Sequence, residues 1–274
     1  MTSISTNAEP LSIYARLFDL TGRTALVVGG GSGIGQAASL GLASHGAACA
    51  IADANLQGAQ STAAMIRTLG GQAEAYALDV RDGNAIETVV AAAIERLGAI
   101  DILLATPAIN IRKRFLDYTD EEIDRVLDLN LVSTFRMARA VGRHMVARGR
   151  GSIILMSSMR AVNVEPGQSV YAATKAAISQ FTRGLAVEFG ESGVRVNALA
   201  PGIIATPLTA PITSKPEWKA AYAARCALNR WAEPSEMAGP VVFLASDASS
   251  YVTGTTLFAD AGWTAIDGRF KPPV

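Results

Sequence analysis

The chain has 274 residues, half of them hydrophobic, with 24 basic and 24 acidic side chains and a formal net charge of zero. That length supports one sizeable core, and the charge balance argues against a nucleic-acid partner held through its phosphates. Cys49 and Cys226 make no disulfide framework, and no apolar run reaches the ~18 residues of a membrane span.

Residues 1–18 are mostly polar and lack the basic-then-apolar order of a leader. They read as a flexible tail, with a single domain over 19–274 and a cytoplasmic location. Residues 24–28, Thr-Ala-Leu-Val-Val, read as a first strand. Gly29-Gly30-Gly31-Ser32-Gly33-Ile34-Gly35 follows and opens an apolar-periodic helix over 33–45, with Gly46 suited to cap its end. Strand, glycine turn and helix form the context of a dinucleotide phosphate site. Glycine lets the backbone come close to a pyrophosphate, and the helix start offers free amides. A glycine-rich turn alone is more often a plain tight turn. The second strand, 48–52, adds weight because it ends at Asp53, near the spacing of an acid that binds an adenosine ribose. A solvated strand-end carboxylate or helix cap is the alternative for Asp53.

A helix is expected over 55–69 and a third strand over 73–78, closing on Asp79-Val80. Then come a helix at 85–97, a strand at 101–105, a helix at 120–147 and a strand at 152–156 that ends in Ser157-Ser158. A helix at 170–189, a strand at 195–199, a helix at 235–246 and a strand at 256–259 complete the series. Short continuous apolar strands between helices predict an α/β fold, a Rossmann-type doubly wound parallel sheet with helices on both faces. Residues 207–230 are broken by Pro207, Pro211 and Pro216 and fit a substrate lid or a plain surface excursion equally well. Trp218 and Trp231 fit lid aromatics or core packing. His45 and His144 have no ligand set at metal spacing, so no metal site is expected. Neither histidine stands in a motif that would activate Ser157 or Ser158, which argues against a hydrolase triad.

The helix at 170–189 carries Tyr171 and Lys175, four residues apart and so on one face. Such a pair alone is usually an exposed helix surface. A fixed cation beside a phenol favours the phenolate, and moving a tyrosine about three pH units takes about 4 kcal/mol. Ser158, at a strand end, is suited to hold a substrate oxygen near that phenol.

Taken in order, these motifs resemble the short-chain dehydrogenase/reductase family over residues 20–267. Gly29, Gly33 and Gly35 match its GxxxGxG turn. Asp79-Val80 sit where it places an acid near the adenine. Asn130, in Leu127-Asp128-Leu129-Asn130, matches its helix asparagine, and Ser158, Tyr171 and Lys175 follow in its order. Pro201-Gly202-Ile203-Ile204-Ala205-Thr206 is similar to its loop at the nicotinamide end. The resemblance implies hydride transfer between a nicotinamide cofactor and a secondary alcohol or ketone of a small-molecule substrate. It implies Tyr171 as general acid/base, Lys175 as the group that lowers its pKa and binds the ribose, Ser158 as the group that orients the substrate oxygen, and Asn130 as the holder of a relay water. Cofactor contacts are expected at Gly29, Ser32, Gly33, Ile34, Gly35, Asp53, Asp79, Val80, Tyr171, Lys175, Pro201, Gly202, Ile204 and Thr206. Substrate contacts are expected at Arg112, Ser158 and Tyr171. Asp53, followed by Ala54 and with no Lys or Arg in 29–35, favours NAD over NADP. The family also implies a homo-oligomer, a tetramer.

Within the family, the chain is similar to the sugar-acid and polyol group, gluconate 5-dehydrogenase and 2-deoxygluconate 3-dehydrogenase. The carrying segments are Ile109-Asn110-Ile111-Arg112-Lys113, Ala205-Thr206-Pro207-Leu208-Thr209-Ala210-Pro211, Asn229-Arg230-Trp231 and residues 239–247. A reductase of another carbonyl, such as a 3-oxoacyl thioester, is an alternative, as is a nicotinamide-binding protein with little catalysis. Two positions depart from the family. Val28 stands where it usually has threonine, and Ala105-Thr106-Pro107-Ala108 stand where it reads NNAG. An apolar replacement of both partners of a buried polar pair can be almost neutral, whereas loss of one is costly.

Overall fold

The computed structural model describes residues 12–267. Its seven strands are β1 (Thr24–Val28), β2 (Ala48–Asp53), β3 (Ala73–Ala77), β4 (Ile102–Ala105), β5 (Gly151–Met156), β6 (Val194–Pro201) and β7 (Thr256–Ala259). Ten α-helical segments accompany them: α1 (Ser12–Ala15), α2 (Gly33–Ser44), α3 (Leu56–Thr68), α4 (Gly83–Leu97), α5 (Asp120–Leu127), α6 (Ser133–Arg148), α7 (Ser169–Gly190), α8 (Ala210–Thr213), α9 (Pro216–Ala223) and α10 (Ala238–Ala245). The expected flexible tail, 1–18, lies outside the described residues up to 11; Ser12 onward forms α1 and a 3₁₀ turn. Residues 268–274 of the expected domain also lie outside them.

The sheet is wholly parallel, in the order β3-β2-β1-β4-β5-β6-β7. Alternate side chains of each strand face opposite ways, and in the strands between the edges β3 and β7 both sets are buried. Leu26, Ala50, Leu103 and Ile153 meet Val89 and Val90 of α4, Val141 of α6 and Ile178 of α7. Val27, Ile51 and Leu104 meet Leu42 of α2, Ile66 of α3 and Leu244 of α10. This two-sided cover is why the strands read as unbroken apolar runs. The strand order reverses between β1 and β4, and that reversal leaves a crevice at the C-terminal ends of the strands.

Four local features refine the sequence reading. The helix expected over 120–147 is two helices joined by a π-helical turn, Asp128–Val132. Such turns break the regular ladder and recur at functional sites. The turn carries Asn130, fully buried. α4 begins two residues earlier than expected because Asp82 caps it, accepting from the amides of Asn84 and Ala85 at 2.8 and 3.2 Å. The expected helix at 235–246 starts as a 3₁₀ turn, Pro234–Met237, before α10. In the segment 207–230, prolines sit at helix starts, where their missing N–H costs nothing. Among the described residues no helix is long and apolar enough to cross a membrane.

Candidate functional site

The C-terminal crevice is a cavity of about 450 Å³. At one end lies the glycine turn between β1 and α2. Gly29 has φ +80°, and a Cβ there would stand 2.3 Å from the Thr106 hydroxyl oxygen. A Cβ on Gly35 would stand 2.1 Å from the Gly29 carbonyl oxygen. The turn is thus folded so tightly that only glycine fits at either place. Ser32 precedes α2 with extended backbone and makes no side-chain bond to the helix start. The first amides of α2 and the Ser32 hydroxyl therefore remain for an anion.

Asp53 ends β2 and anchors this end. One carboxylate oxygen accepts from the Gly31 amide at 2.9 Å, and the other from the Asn55 amide at 2.8 Å. The carboxylate is held in place before any ligand arrives. Asp53 and Asp79 line the cavity here, and Lys175, at the far end, is its only lining cation among the described residues. Arg81 stands nearby but is paired with Asp79 at 2.6 Å.

At the other end Ser158, Tyr171 and Lys175 line the same cavity, with the loop from Pro201 to Thr206 opposite. Ser158 follows β5, and its hydroxyl oxygen accepts from the Arg160 amide at 3.1 Å, leaving its proton to donate. Tyr171 and Lys175 lie one turn apart on α7. The Lys175 Nζ donates to the Met156 carbonyl at 2.8 Å and sits 5.6 Å from the centre of the Tyr171 ring. Burial pushes the Lys175 amine down to about 7. Burial also raises the Tyr171 phenol above its usual value; the Ser158 hydroxyl opposes this, followed by the guanidinium groups of Arg160 and Arg112. The groups that oppose the rise are thus Ser158 and two arginines, where the sequence pointed to Lys175, while Lys175 is tied to the end of β5.

The cavity gathers every residue expected to touch the cofactor: Gly29, Ser32, Gly33, Ile34, Gly35, Asp53, Asp79, Val80, Tyr171, Lys175, Pro201, Gly202, Ile204 and Thr206. Asn130 and Arg112 do not line it. Asn130 clamps Ile109, which does: its Oδ1 accepts from the Ile109 amide at 2.8 Å, and its Nδ2 donates to the Ile109 carbonyl at 2.9 Å. The second Nδ2 proton goes to the Thr174 hydroxyl at 3.3 Å. Arg112, expected as a free partner for a substrate anion, instead donates to Glu165 at 2.8 Å and to the Tyr222 hydroxyl at 3.2 Å.

Sequence reasoning missed Thr106. Val28 and Ala105 are register partners across β1 and β4, and both side chains are apolar and buried. The polar link between the strands is carried one residue on, where the Thr106 hydroxyl donates to the Val28 carbonyl at 2.9 Å. Its place in the Ala105–Ala108 segment was the available signal. Arg160, Glu165 and Tyr222 were missed as well, and no local pattern marks them.

A family model described as enoyl-(acyl carrier protein) reductase matches residues 28–264. The short-chain reductase protein NovJ of Streptomyces niveus is 42% identical over 87% of this chain and 92% of its own. Gluconate 5-dehydrogenase of Gluconobacter oxydans is 35% identical over 90% and 97%. The chain belongs to the short-chain dehydrogenase/reductase family. A solved structure of a gluconate 5-dehydrogenase from Burkholderia cenocepacia, in complex with NADP and tartrate, superposes with a TM-score of 0.89 at 35% identity, covering 93% of this chain and all of the other. As a short-chain dehydrogenase/reductase, the protein is an oxidoreductase acting on CH–OH groups with a nicotinamide cofactor. Its residues fit that group: a glycine cradle that a Cβ would fill, free amides at a helix start, and a fixed carboxylate at the adenosine end.

Proposed function

We propose that the protein oxidises a secondary hydroxyl of a sugar acid or polyol, with NAD preferred over NADP. One observation carries this reading: Ser158, Tyr171 and Lys175 share a single cavity with a glycine turn whose ribose end is acidic. The nicotinamide, when bound, supplies the hydride acceptor. Tyr171 takes the hydroxyl proton as general base. Ser158 donates to the same substrate oxygen and keeps it within reach of the phenol. Lys175 binds the nicotinamide ribose, and favours the phenolate together with Arg160 and Arg112. Asn130 serves through Ile109; with both amide protons spent, it would meet a relay water only as an acceptor.

Two relatives support the substrate class by their names, gluconate 5-dehydrogenase and the L-rhamnose 1-dehydrogenase (NAD(P)(+)) of a Sphingomonas strain. The NAD preference rests on Asp53, which would repel a 2′-phosphate, and on the lack of a lining cation at that end among the described residues. Because the Burkholderia relative was solved with NADP, the two nucleotides need direct comparison. The test is an oxidation screen over sugar acids, polyols and simple secondary alcohols, with reduction of 3-oxoacyl thioesters run beside it, read by reduced-nucleotide absorbance with each cofactor. Turnover confined to 3-oxoacyl thioesters would refute the substrate class, and equal or better kcat/KM with NADP would refute the preference.

We also propose a cytoplasmic homotetramer. Exposed apolar side chains on α6 and α7, Phe135 and Val187, support the assembly. Light scattering should give about four times the 28.5 kDa chain mass, and a monomer peak would refute it.

A further inference from the structure

A second cavity, of about 420 Å³, is lined by Arg160, Asn163, Glu165, Tyr222, Arg225 and Trp263 among others. Arg160 in its wall faces the reactive end, where its guanidinium acts on the Tyr171 phenol. Its charge is uneven. Trp263 is buried and carries two guanidinium groups over its ring, Arg160 at 5.2 Å and Arg225 at 5.5 Å from the centroid. The indole face attracts each cation, while the two cations repel one another. Glu165 is the only carboxylate in the cavity wall among the described residues, and it is fully engaged. Its Oε1 accepts from Arg112 at 2.8 Å, from the Tyr222 hydroxyl at 2.5 Å and from Gln168, and its Oε2 accepts from Arg160 at 2.7 Å. Asp260, three residues before Trp263, spends its carboxylate on the Gly262 amide and on the amide and hydroxyl of Thr264. The Arg225 guanidinium has no carboxylate partner within 4 Å among the described residues.

We propose that this cavity is an acid-recognition subsite in which Arg225, placed over the Trp263 ring, binds the substrate carboxylate while Arg112 does not. The inference rests on the sugar-acid reading and moves its anion contact to a different residue. A guanidinium held by an aromatic ring and without a carboxylate partner keeps its N–H groups for a bidentate carboxylate. Arg112 would have to give up Glu165 and Tyr222 to do the same. Ser158 and Tyr171 line the first cavity and Arg225 the second, so the acid group binds apart from the reacting carbon, as in an open-chain aldonic acid oxidised near its far end. Arg225 follows α9, so a bound acid also fixes that end of the segment against β7 and its loop.

The test compares Arg225→Gln and Arg112→Gln on D-gluconate and on sorbitol, a neutral polyol of the same chain length. It reads KM and kcat, and calorimetric Kd of D-gluconate on protein preloaded with NADH. Arg225→Gln should raise KM and Kd for gluconate at least about tenfold and leave kcat and the sorbitol KM within about twofold. Arg112→Gln should change both substrates alike. Gluconate oxidation untouched by Arg225→Gln would keep the sugar-acid reading and overturn the subsite. Arg225-dependent binding of gluconate without its oxidation would support the subsite and overturn gluconate as substrate. Absence of gluconate binding to the parent protein would overturn both.

Discussion

Lys175 should make the nucleotide-free fold less stable than an apolar side chain would. The residue is 1% exposed, and burial lowers its amine from 10.5 to about 7. Between those two values the unfolded chain binds a proton that the folded chain does not, so stability rises with pH. Below pH 7 the full cost applies: at about 1.4 kcal/mol per pH unit the gap amounts to about 5 kcal/mol. Lys175→Met removes that cost but strands the Met156 carbonyl, which the Nζ holds at 2.8 Å. An unsatisfied buried acceptor costs about 2 kcal/mol. The variant should then be more stable by about 3 kcal/mol at pH 6, with the two curves crossing near pH 9 and the parent ahead at pH 10. Urea unfolding at pH 6, 8 and 10, at one protein concentration and without nucleotide, measures the difference. A gap that does not change with pH would refute the argument, because only titration of the amine makes it pH-dependent.

Tyr171→Phe should lower kcat by a factor of about 10²–10⁴ and leave the NADH dissociation constant within about threefold; more than about a tenth of parental activity would end the acid/base role. Gly35→Ala should weaken NADH binding more than about tenfold in a fluorescence titration, since its Cβ would meet backbone at 2.1 Å; unchanged binding would show that the turn can open. Val28→Thr and Ala105→Asn should each cost about 1–3 kcal/mol as single changes, and their double change less than the sum, as befits register partners. Additive losses in denaturant unfolding would show that the two side chains do not interact.

The sheet was legible because a strand covered on both faces has no polar side to hide, so β1, β4 and β5 appear as plain apolar runs. The glycine turn was legible because its tight fold excludes every other residue at Gly29 and Gly35. Tyr171 and Lys175 were legible through helical spacing. The π turn at Asn130 was not, since it stabilises a backbone contact to Ile109, 21 residues away, and leaves no periodic trace. The Arg112–Glu165 pair spans 53 residues and the Arg112–Tyr222 contact 110. Only the tertiary fold brings such groups together, and nothing beside Arg112 in the sequence shows that Glu165 would neutralise it. The acceptor for Lys175 was hidden for a related reason: it is a backbone carbonyl, and any residue at position 156 would provide one.

Glu165 has a bearing on any attempt to change what the enzyme accepts. One carboxylate gathers the loop after β4 through Arg112, the turn after β5 through Arg160, the start of α7 through Gln168, and α9 through Tyr222. The loop after β4 and α9 lie 53 and 57 residues from Glu165, yet they share this fastener with its near neighbours. Grafting only residues 207–230 from a relative would discard Tyr222 and loosen three segments that the graft never touched. Substrate range in this scaffold is therefore inherited as a set, and a designer must exchange Arg112, Arg160, Glu165 and Tyr222 together or leave all four in place.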